Sequence, residues 1–498
     1  MRAIGLGFHG QSRQGGHMNR AAPLTARRLA TVVGSWDAGA GPTYRRLAAA
    51  IRTAVMDGRI TTGTRLPSER SLAEATGLSR TTTTRAYEVL REDGLVRTRQ
   101  GSGTVVELPF GVSGSMSMLA RPDRPDGIAM TAAASEAPDG FSALVERAMS
   151  ALPSVLATDG YLPDGLPVLR ERIAARYSRH GMPTDPDQII VTTGAQSALS
   201  LLVSALVRPG DRVLVEGCGY PHAFDMLQRA GARLLPLPIA DSPWPVDEVA
   251  RLAPAARLAL LVPDFHNPTG ASMSSEARAE IARSLAHGSV TTIIDETLRD
   301  VNVSGLPQPE HYGVHAPDAI VVGSVAKSLW GGLRIGWIRA PRTLVPRLVQ
   351  ARMVRDLGTA ALDQLIVATA LEDGEIDLRT RTADLRERRD VLLDAVGRRL
   401  PDWQVSRPDG GLSAWATLPA PLSSALTSVA LDEGLTLTPG PRFFPTVPIL
   451  GEHHLRLPFA LRPEILEEAV VRLARAWALV TTGQTGGTAD PDAVDLIA

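Results

Sequence analysis

A chain of 498 residues is too long for one hydrophobic core, so two or more domains are expected. A hydrophobic fraction of 44% and a charged fraction of 21% suit a globular protein, and no uninterrupted apolar run is long enough to span a bilayer. The single cysteine, Cys218, excludes an intramolecular disulfide and, with no secretory-type apolar core in residues 1–30, the expected compartment is the reducing cytoplasm.

The net charge of −1 conceals an asymmetry: residues 43–106 hold 11 Arg against 6 Asp or Glu, a local +5, which leaves −6 on the remainder. A basic N-terminal module on a mildly acidic body suits an anionic partner for that module alone. A second bias is sharper. Of 52 Lys and Arg residues, 51 are Arg and one is Lys327. Arg supplies charge but does not deprotonate, whereas a lysine amine does, and only a neutral amine forms a Schiff base. Lys327 is either kept for amine chemistry or left by compositional drift, and its neighbours decide between the two.

Residues 1–40 are rich in Gly, Gln, Ser and Arg with little periodicity, which predicts a poorly ordered extension, and Met1 and Met18 both stand open as starts. From Thr43 to Met56 the apolar residues Leu47, Ile51 and Val55 recur at helical spacing, ended by Asp57-Gly58. Ser68 can cap a second helix through Ala75, Gly77 marks a turn, and Ser79 can cap a third helix through Asp93. Leu95–Arg99 and Thr104–Leu108, separated by Gln100-Gly101-Ser102-Gly103, predict a hairpin.

Two helices about a glycine turn, followed by a hairpin, are the plan of a winged helix over residues 41–107. Its recognition helix would present Arg80, Thr81 and Thr82 at its N-terminus, where such helices meet base edges and phosphates. Arg65 and Arg70 would position phosphates, and Gly101 and Gly103 would let the wing tip approach the minor groove. The bare pattern suits a small helical packing domain with solvated arginines equally well. The stretch GTRLPSERSLAEATGLSRTTTTRAYEVLREDGLVRTRQGSGTVV is more specific: with Leu66-Pro67-Ser68-Glu69-Arg70, Ser79-Arg80-Thr81-Thr82 and Gly101-Ser102-Gly103 in place, it resembles the GntR-type winged helix. That resemblance implies a dimer on double-stranded operator DNA with paired half-sites. Four threonines at 81–84 supply few charged base readers, so the operator sequence is not legible.

Residues 108–135, rich in Gly, Ser, Pro and Met, predict a linker. Beyond it, helical stretches alternate with the apolar runs Gln188–Thr193, Arg212–Glu216, Leu258–Pro263, Thr291–Asp295 and Ala319–Gly323. This alternation predicts an α/β domain over 136–480 with a parallel sheet covered on both faces, followed by a disordered tail at 481–498.

Lys327 lies in GSVAKSLWGGLRIGW, with Ser324 three residues before it and Arg334 seven after. That spacing lets a lysine reach an aldehyde carbon while the Ser and Arg converge on a phosphate. In VTTGAQSAL, Gly194, Ala195 and Gln196 fall at a strand-to-helix turn, whose backbone N–H groups and helix dipole favour phosphate. HNPTG supplies Asn267 and IIDETLRD supplies Asp295, each of which alone could be a turn former or a helix cap. In this order and spacing the motifs resemble the fold-type I aminotransferases.

That resemblance implies pyridoxal 5′-phosphate held as a Schiff base on Lys327. Asp295 would pair with the pyridine nitrogen, Asn267 would bond the phenolic oxygen, and Tyr220 in GCGYPHAF would stack on the ring. Gly194, Ala195, Gln196, Ser324 and Arg334 would hold the phosphate. Tyr161 in GYLPDGL would reach the phosphate of the partner subunit, implying a homodimer, and Arg456 in HHLRLPFA would grip an α-carboxylate. No metal site is expected. One departure stands out: where many members carry a tyrosine three residues after the aspartate, this chain has Leu298, which donates nothing and puts efficient transamination in question.

A GntR-type winged helix joined through a linker to an aminotransferase-like domain resembles the MocR family of transcription regulators over nearly the whole chain. The implied mechanism is a dimer that senses pyridoxal phosphate, or an amino acid or amine condensed onto it as an external aldimine. Closure around that ligand would change how the winged helices meet DNA. The competing expectation is a working aminotransferase with an appended DNA-binding domain; Leu298 speaks against it and the otherwise complete cofactor set with Arg456 speaks for it.

Overall fold

The structure is a computed structural model and describes residues 24–34, 41–56, 60, 64–99, 103–106, 127–238, 243–374 and 376–485. The chain divides into two compact units, the first built on Met1–Val33 and Pro42–Ser115 and the second on Gly34–Gly41 and Met116–Leu496.

In the first unit the helices are Thr43–Met56, Glu69–Thr76 and Arg80–Glu92. Local chemistry sets their ends. Ser68 accepts from Ser71 N at 3.1 Å, Gly77 closes its helix at φ 71°, and Ser79 accepts from Thr82 N at 3.1 Å. Leu47 and Ile51 are buried against Ala86, Tyr87 and Leu90 of the capped third helix. The hairpin pairs Val96–Arg99 with Gly103–Val106, and Arg65 bridges to Val105 as a further rung. Gly101 and Ser102 lie outside the described residues.

Within the stretch expected to be poorly ordered, Ala26–Val33 forms a helix instead, with Leu29 and Val33 buried against the helix Glu69–Thr76. Eight residues are too few to hold a helix by propensity, so this one rests on tertiary burial that local sequence does not display.

The second unit is organised by a sheet in the spatial order Ile189–Thr192, Gly336–Arg339, Ile320–Ser324, Thr291–Asp295, Leu258–Leu261, Arg212–Val215, Arg233–Pro236. Leu199, Leu202, Val213, Leu260 and Val322 fill one face, and Val191, Leu214, Leu261 and Ile294 fill the other. The expected all-parallel sheet needs one correction. Gly336–Arg339 runs antiparallel to both neighbours, with Gly336 opposite Ser324 and Trp337 opposite Gly323. A direct return needs no crossover helix, so the chain turns back at once after the Lys327 loop. Gly323 is required there, because a β-carbon on it would lie 2.3 Å from Trp337 Cε2.

A smaller antiparallel sheet joins Gln404–Val405, Ser413–Thr417 and His454–Pro458, backed by the helices Arg379–Arg399 and Pro463–Thr485 through Leu392, Val396, Leu466 and Leu473. Residues 108–135 were expected to be linker, yet Ile128–Met130 is a strand pairing in parallel with Leu435–Leu437. Three residues between Gly and Thr carry no readable period, and the pairing depends on a partner 307 positions away (Leu435 against Ile128). The last helix also runs to Thr485, past the expected boundary at 480. No helix among the described residues is long and apolar enough to cross a membrane.

Candidate cofactor site and nucleic-acid interface

The strands ending at Thr192, Leu261, Asp295 and Ser324 all point the same way. Loops leaving their carboxyl ends therefore meet, the position where open α/β sheets hold ligands. Here they enclose a cavity of about 690 Å³ whose wall includes Ala195, Gln196, Tyr220, Asn267, Asp295, Ser324, Lys327, Arg334 and Arg456. Nine of the eleven residues singled out for this site thus converge on one space. Gly194 stands directly beside it at the start of the helix Gly194–Leu206. Tyr161 does not join them; it is 62% exposed in the same chain.

At one end of the cavity the helix Gly194–Leu206 offers its unbonded N–H groups. Gly194 has φ +77°, and a β-carbon there would come 2.6 Å from Arg334 Nη2, which donates to Thr193 O at 3.1 Å. Ser324 donates to Ile335 O at 2.9 Å and accepts from Ala326 N at 3.1 Å, so its hydroxyl braces the loop that carries Lys327. Tyr220 donates to Gln196 Oε1 at 3.1 Å.

Deeper in, burial, together with the nearby Arg456 and Arg334 guanidinium groups, lowers the Lys327 amine to about 8 despite the attraction of Asp295. Burial raises the Asp295 carboxyl above its ordinary range, opposed by Thr297, whose N–H donates to Oδ1 at 2.9 Å and whose hydroxyl donates to the same oxygen. Arg456 is only 1% exposed, and its partners are neutral oxygens: Asn267 Oδ1 at 3.2 Å and Thr131 O. Its Nε is buried without a partner, and the guanidinium carbon stands 5.0 Å from the Phe443 ring centroid. Burial draws Arg456 down to about 10, which leaves it a cation at neutral pH. A buried cation facing only neutral groups calls for an anion.

Leu298 does line the cavity and supplies no donor. Three contributors escaped the sequence: Thr297, which holds Asp295, and the backbone carbonyls of Thr131 and Ala133, the latter accepting from Lys327 Nζ at 2.6 Å. Thr297 could have been suspected from its place two residues after the aspartate; a backbone carbonyl leaves no sequence signal. A reactive amine, a carboxylate, a helix N-terminus with a partnered arginine and an anion-seeking guanidinium together fit pyridoxal phosphate and a carboxylate-bearing ligand.

In the first unit, Arg65, Ser68, Arg70, Ser79, Arg80 and Thr81 are exposed, and Thr82 is half-buried. Arg70 pairs with Glu74 at 3.1 Å. The threonine run divides by function. Thr83 is buried and donates to Glu69 O at 3.0 Å, and Thr84 donates to Glu69 Oε2 at 2.8 Å. Only Thr81 and Thr82 remain on the outward first turn. Gly103, at φ +80°, leaves room for Arg65, whose Nε would lie 2.8 Å from a β-carbon there.

The chain belongs to the aminotransferase class I and II family, whose model matches residues 134–473, and residues 43–106 match the bacterial regulatory proteins of the gntR family. Having both domains in this order, it is a regulator of the MocR type. It is 31% identical over 447 residues to the probable rhizopine catabolism regulatory protein MocR of Rhizobium meliloti, covering 82% of this chain and 89% of that one. It is 28% identical to the HTH-type pyridoxine biosynthesis transcriptional regulator PdxR of Corynebacterium glutamicum, covering 78% and 86%. Among solved structures, it matches LysN, the α-aminoadipate aminotransferase of Thermus thermophilus complexed with N-(5′-phosphopyridoxyl)-L-leucine. That match has a TM-score of 0.64 and 29% identity, covering 72% of this chain and 93% of that one. Pyridoxal 5′-phosphate is the cofactor of this domain.

Proposed function

We propose that the chain regulates transcription as a homodimer on double-stranded operator DNA, with pyridoxal phosphate and a carboxylate-bearing amine, such as an amino acid, as its effector. Lys327 would hold the aldehyde carbon, Asp295 the pyridine nitrogen, Asn267 the phenolic oxygen and Tyr220 the ring face. Gly194, Ala195, Gln196, Ser324 and Arg334 would hold the phosphate, with Tyr161 of the partner subunit completing that end. When bound, the cofactor supplies an electrophilic carbon conjugated to an electron-withdrawing ring. Arg456 supplies recognition: its planar fork, held between Asn267 and Thr131, is shaped for a carboxylate.

In the winged helix, Arg80 and Thr81 would meet bases and phosphates, with Ser79 and Thr82 fixing the first turn and Ser68, Arg65, Arg70, Gly101 and Gly103 at the flanks and wing. The observation that carries the proposal is the buried Arg456 guanidinium with no anionic partner among the described residues, in the same chain as an exposed recognition-helix start. Leu298 weighs against efficient turnover, since a regulator needs to capture an amine but not to release a keto acid.

The test is a titration of the protein on its own upstream intergenic DNA at fixed salt, with and without pyridoxal phosphate and amino acids. Specific binding that shifts with cofactor and loses that response in Lys327→Ala is expected. Specific binding indifferent to cofactor, together with steady transamination, would overturn the proposal in favour of a working aminotransferase.

A further inference from the structure

Between the strand Ile128–Met130 and Glu136, the residues Thr131-Ala132-Ala133-Ala134-Ser135 run along the cavity wall in neither helix nor strand. Both ends of this segment are tied. The strand pairs with Leu435–Leu437, while the Glu136 carbonyl accepts from Arg381 and its carboxylate lies 3.3 Å from Arg462. Between the ties, two backbone carbonyls sit on two cations of the site: Thr131 O on Arg456 Nη2, and Ala133 O on Lys327 Nζ at 2.6 Å.

A ligand needs both of those cations. Joining Lys327 to an aldehyde expels the aldehyde oxygen as water together with both hydrogens of the neutral amine, so the nitrogen has none left to give Ala133. A carboxylate on Arg456 makes charge-assisted bonds, roughly twice as strong as the bond to a neutral carbonyl. Besides these bonds, the middle of the segment is held by the Ala133 methyl group against the cluster Val301, Val303, Leu385 and Leu412. The three alanines offer only methyl groups, and Ser135 Oγ is buried without a hydrogen-bond partner among the described residues.

We propose that Thr131–Ser135 is a displaceable strap: its carbonyls occupy Arg456 and Lys327, cofactor joined to Lys327 releases the one tie, and a ligand carboxylate on Arg456 releases the other. The proposal rests on the effector function above and gives it a route. The strap directly follows Ile128–Met130, the first strand of the larger unit, and begins 25 residues after the last strand residue of the winged helix, Val106, so ligand capture acts one short strand away from the segment that leads to the winged helix.

The test uses thiol reactivity in the full chain. Ser135→Cys replaces a buried, unpartnered hydroxyl with a thiol, and the parent chain's one thiol, Cys218, is buried and pushed up to about 12, so it serves as a silent control. The probes are pyridoxal phosphate, whose aldehyde joins Lys327 and reads that tie, and N-(5′-phosphopyridoxyl)-L-leucine, which carries the phosphate, ring and carboxylate but no aldehyde and so reads the Arg456 tie. Saturation with either probe is expected to speed alkylation of Ser135→Cys by iodoacetamide at least tenfold; an unchanged or slower rate overturns the strap. As a second readout, Ala132→Gly combined with Ala134→Gly loosens the strap without touching the cations. The double variant is expected to bind the conjugate about three- to tenfold more tightly. Equal or weaker binding would mean that the segment is a fixed wall. Neither readout involves DNA, so a strap that moves without altering operator binding would sink the regulatory function and leave the strap standing.

Discussion

Gly194 and Arg334 fit one another so closely that a single methyl group would part them. A β-carbon on Gly194 would sit 2.6 Å from Arg334 Nη2, and both residues have positive φ, +77° and +52°. The glycine admits the guanidinium to the helix start, and Arg334 Nη2 is anchored on Thr193 O. Gly194→Ala is expected to expel Arg334 and to add about 1–2 kcal/mol of backbone strain. Affinity for pyridoxal phosphate, followed by absorbance titration, should fall at least tenfold while the far-ultraviolet circular dichroism stays unchanged. Undiminished affinity would show that Arg334 does not hold the phosphate.

The lowered Lys327 amine sets a pH signature. Burial and two guanidinium groups favour the neutral form, so below about 8 the amine is mostly protonated and unable to add to an aldehyde, and above it the amine is mostly neutral. The rate of cofactor attachment should therefore rise about tenfold from pH 7 to pH 9 and level off. An unperturbed amine would rise about a hundredfold over that span and still be climbing. Stopped-flow absorbance distinguishes the two. Lys327→Arg keeps the charge and should show no attachment at any pH, and borohydride treatment should leave its mass unchanged.

How far the sequence reveals this molecule depends on how local the cause is. The caps at Ser68 and Ser79 are legible because a hydroxyl meets an N–H three residues on. The convergence of Gln196, Asn267, Asp295 and Lys327 is legible through motifs that follow strand ends. The direction of Gly336–Arg339 is not, since four apolar-rich residues carry no sign of which way they run. Ala26–Val33 and Ile128–Met130 stay hidden because each is held by a distant partner. The same limit hides Asp264, whose Oδ1 accepts from Arg278 at 2.7 Å and Arg299 at 2.8 Å. That bond ties the Asn267 loop to the segment after Asp295.

Arg456 should trade stability against ligand capture. Its guanidinium is buried beside Phe443 with neutral oxygens for partners, so the folded state bears an uncompensated desolvation cost. Arg456→Met removes the charge itself and is expected to leave the melting temperature unchanged or raise it, since replacing a buried ionic group with an apolar one is neutral or stabilising by about 1–4 kcal/mol. Binding of N-(5′-phosphopyridoxyl)-L-leucine should weaken by about 2–5 kcal/mol, as when one partner of a buried charge pair is cut away. Calorimetry reads both quantities. A destabilised variant that still bound the conjugate would mean that Arg456 is structural and that the carboxylate is held elsewhere.

Arg80 carries the sharpest test of the DNA-binding surface because its neighbours are already spoken for. Thr83 and Thr84 turn inward to Glu69, and Thr82 shares a 2.8 Å contact with the Ser79 hydroxyl. Arg80 is the one exposed cation in the first turn of its helix, and no hydrogen bond to the described residues holds its side chain back. Arg80→Ala is expected to remove operator binding, while the caps, which do not involve its side chain, keep the helix and the melting temperature intact. Raising the salt separates two roles for the residue. If Arg80 contacts a phosphate, the slope of log affinity against log salt falls by about one and all sequences weaken alike; if it reads a base, discrimination between operator and random DNA is lost instead. Binding undiminished at every salt concentration would place the recognition surface on another face of the winged helix.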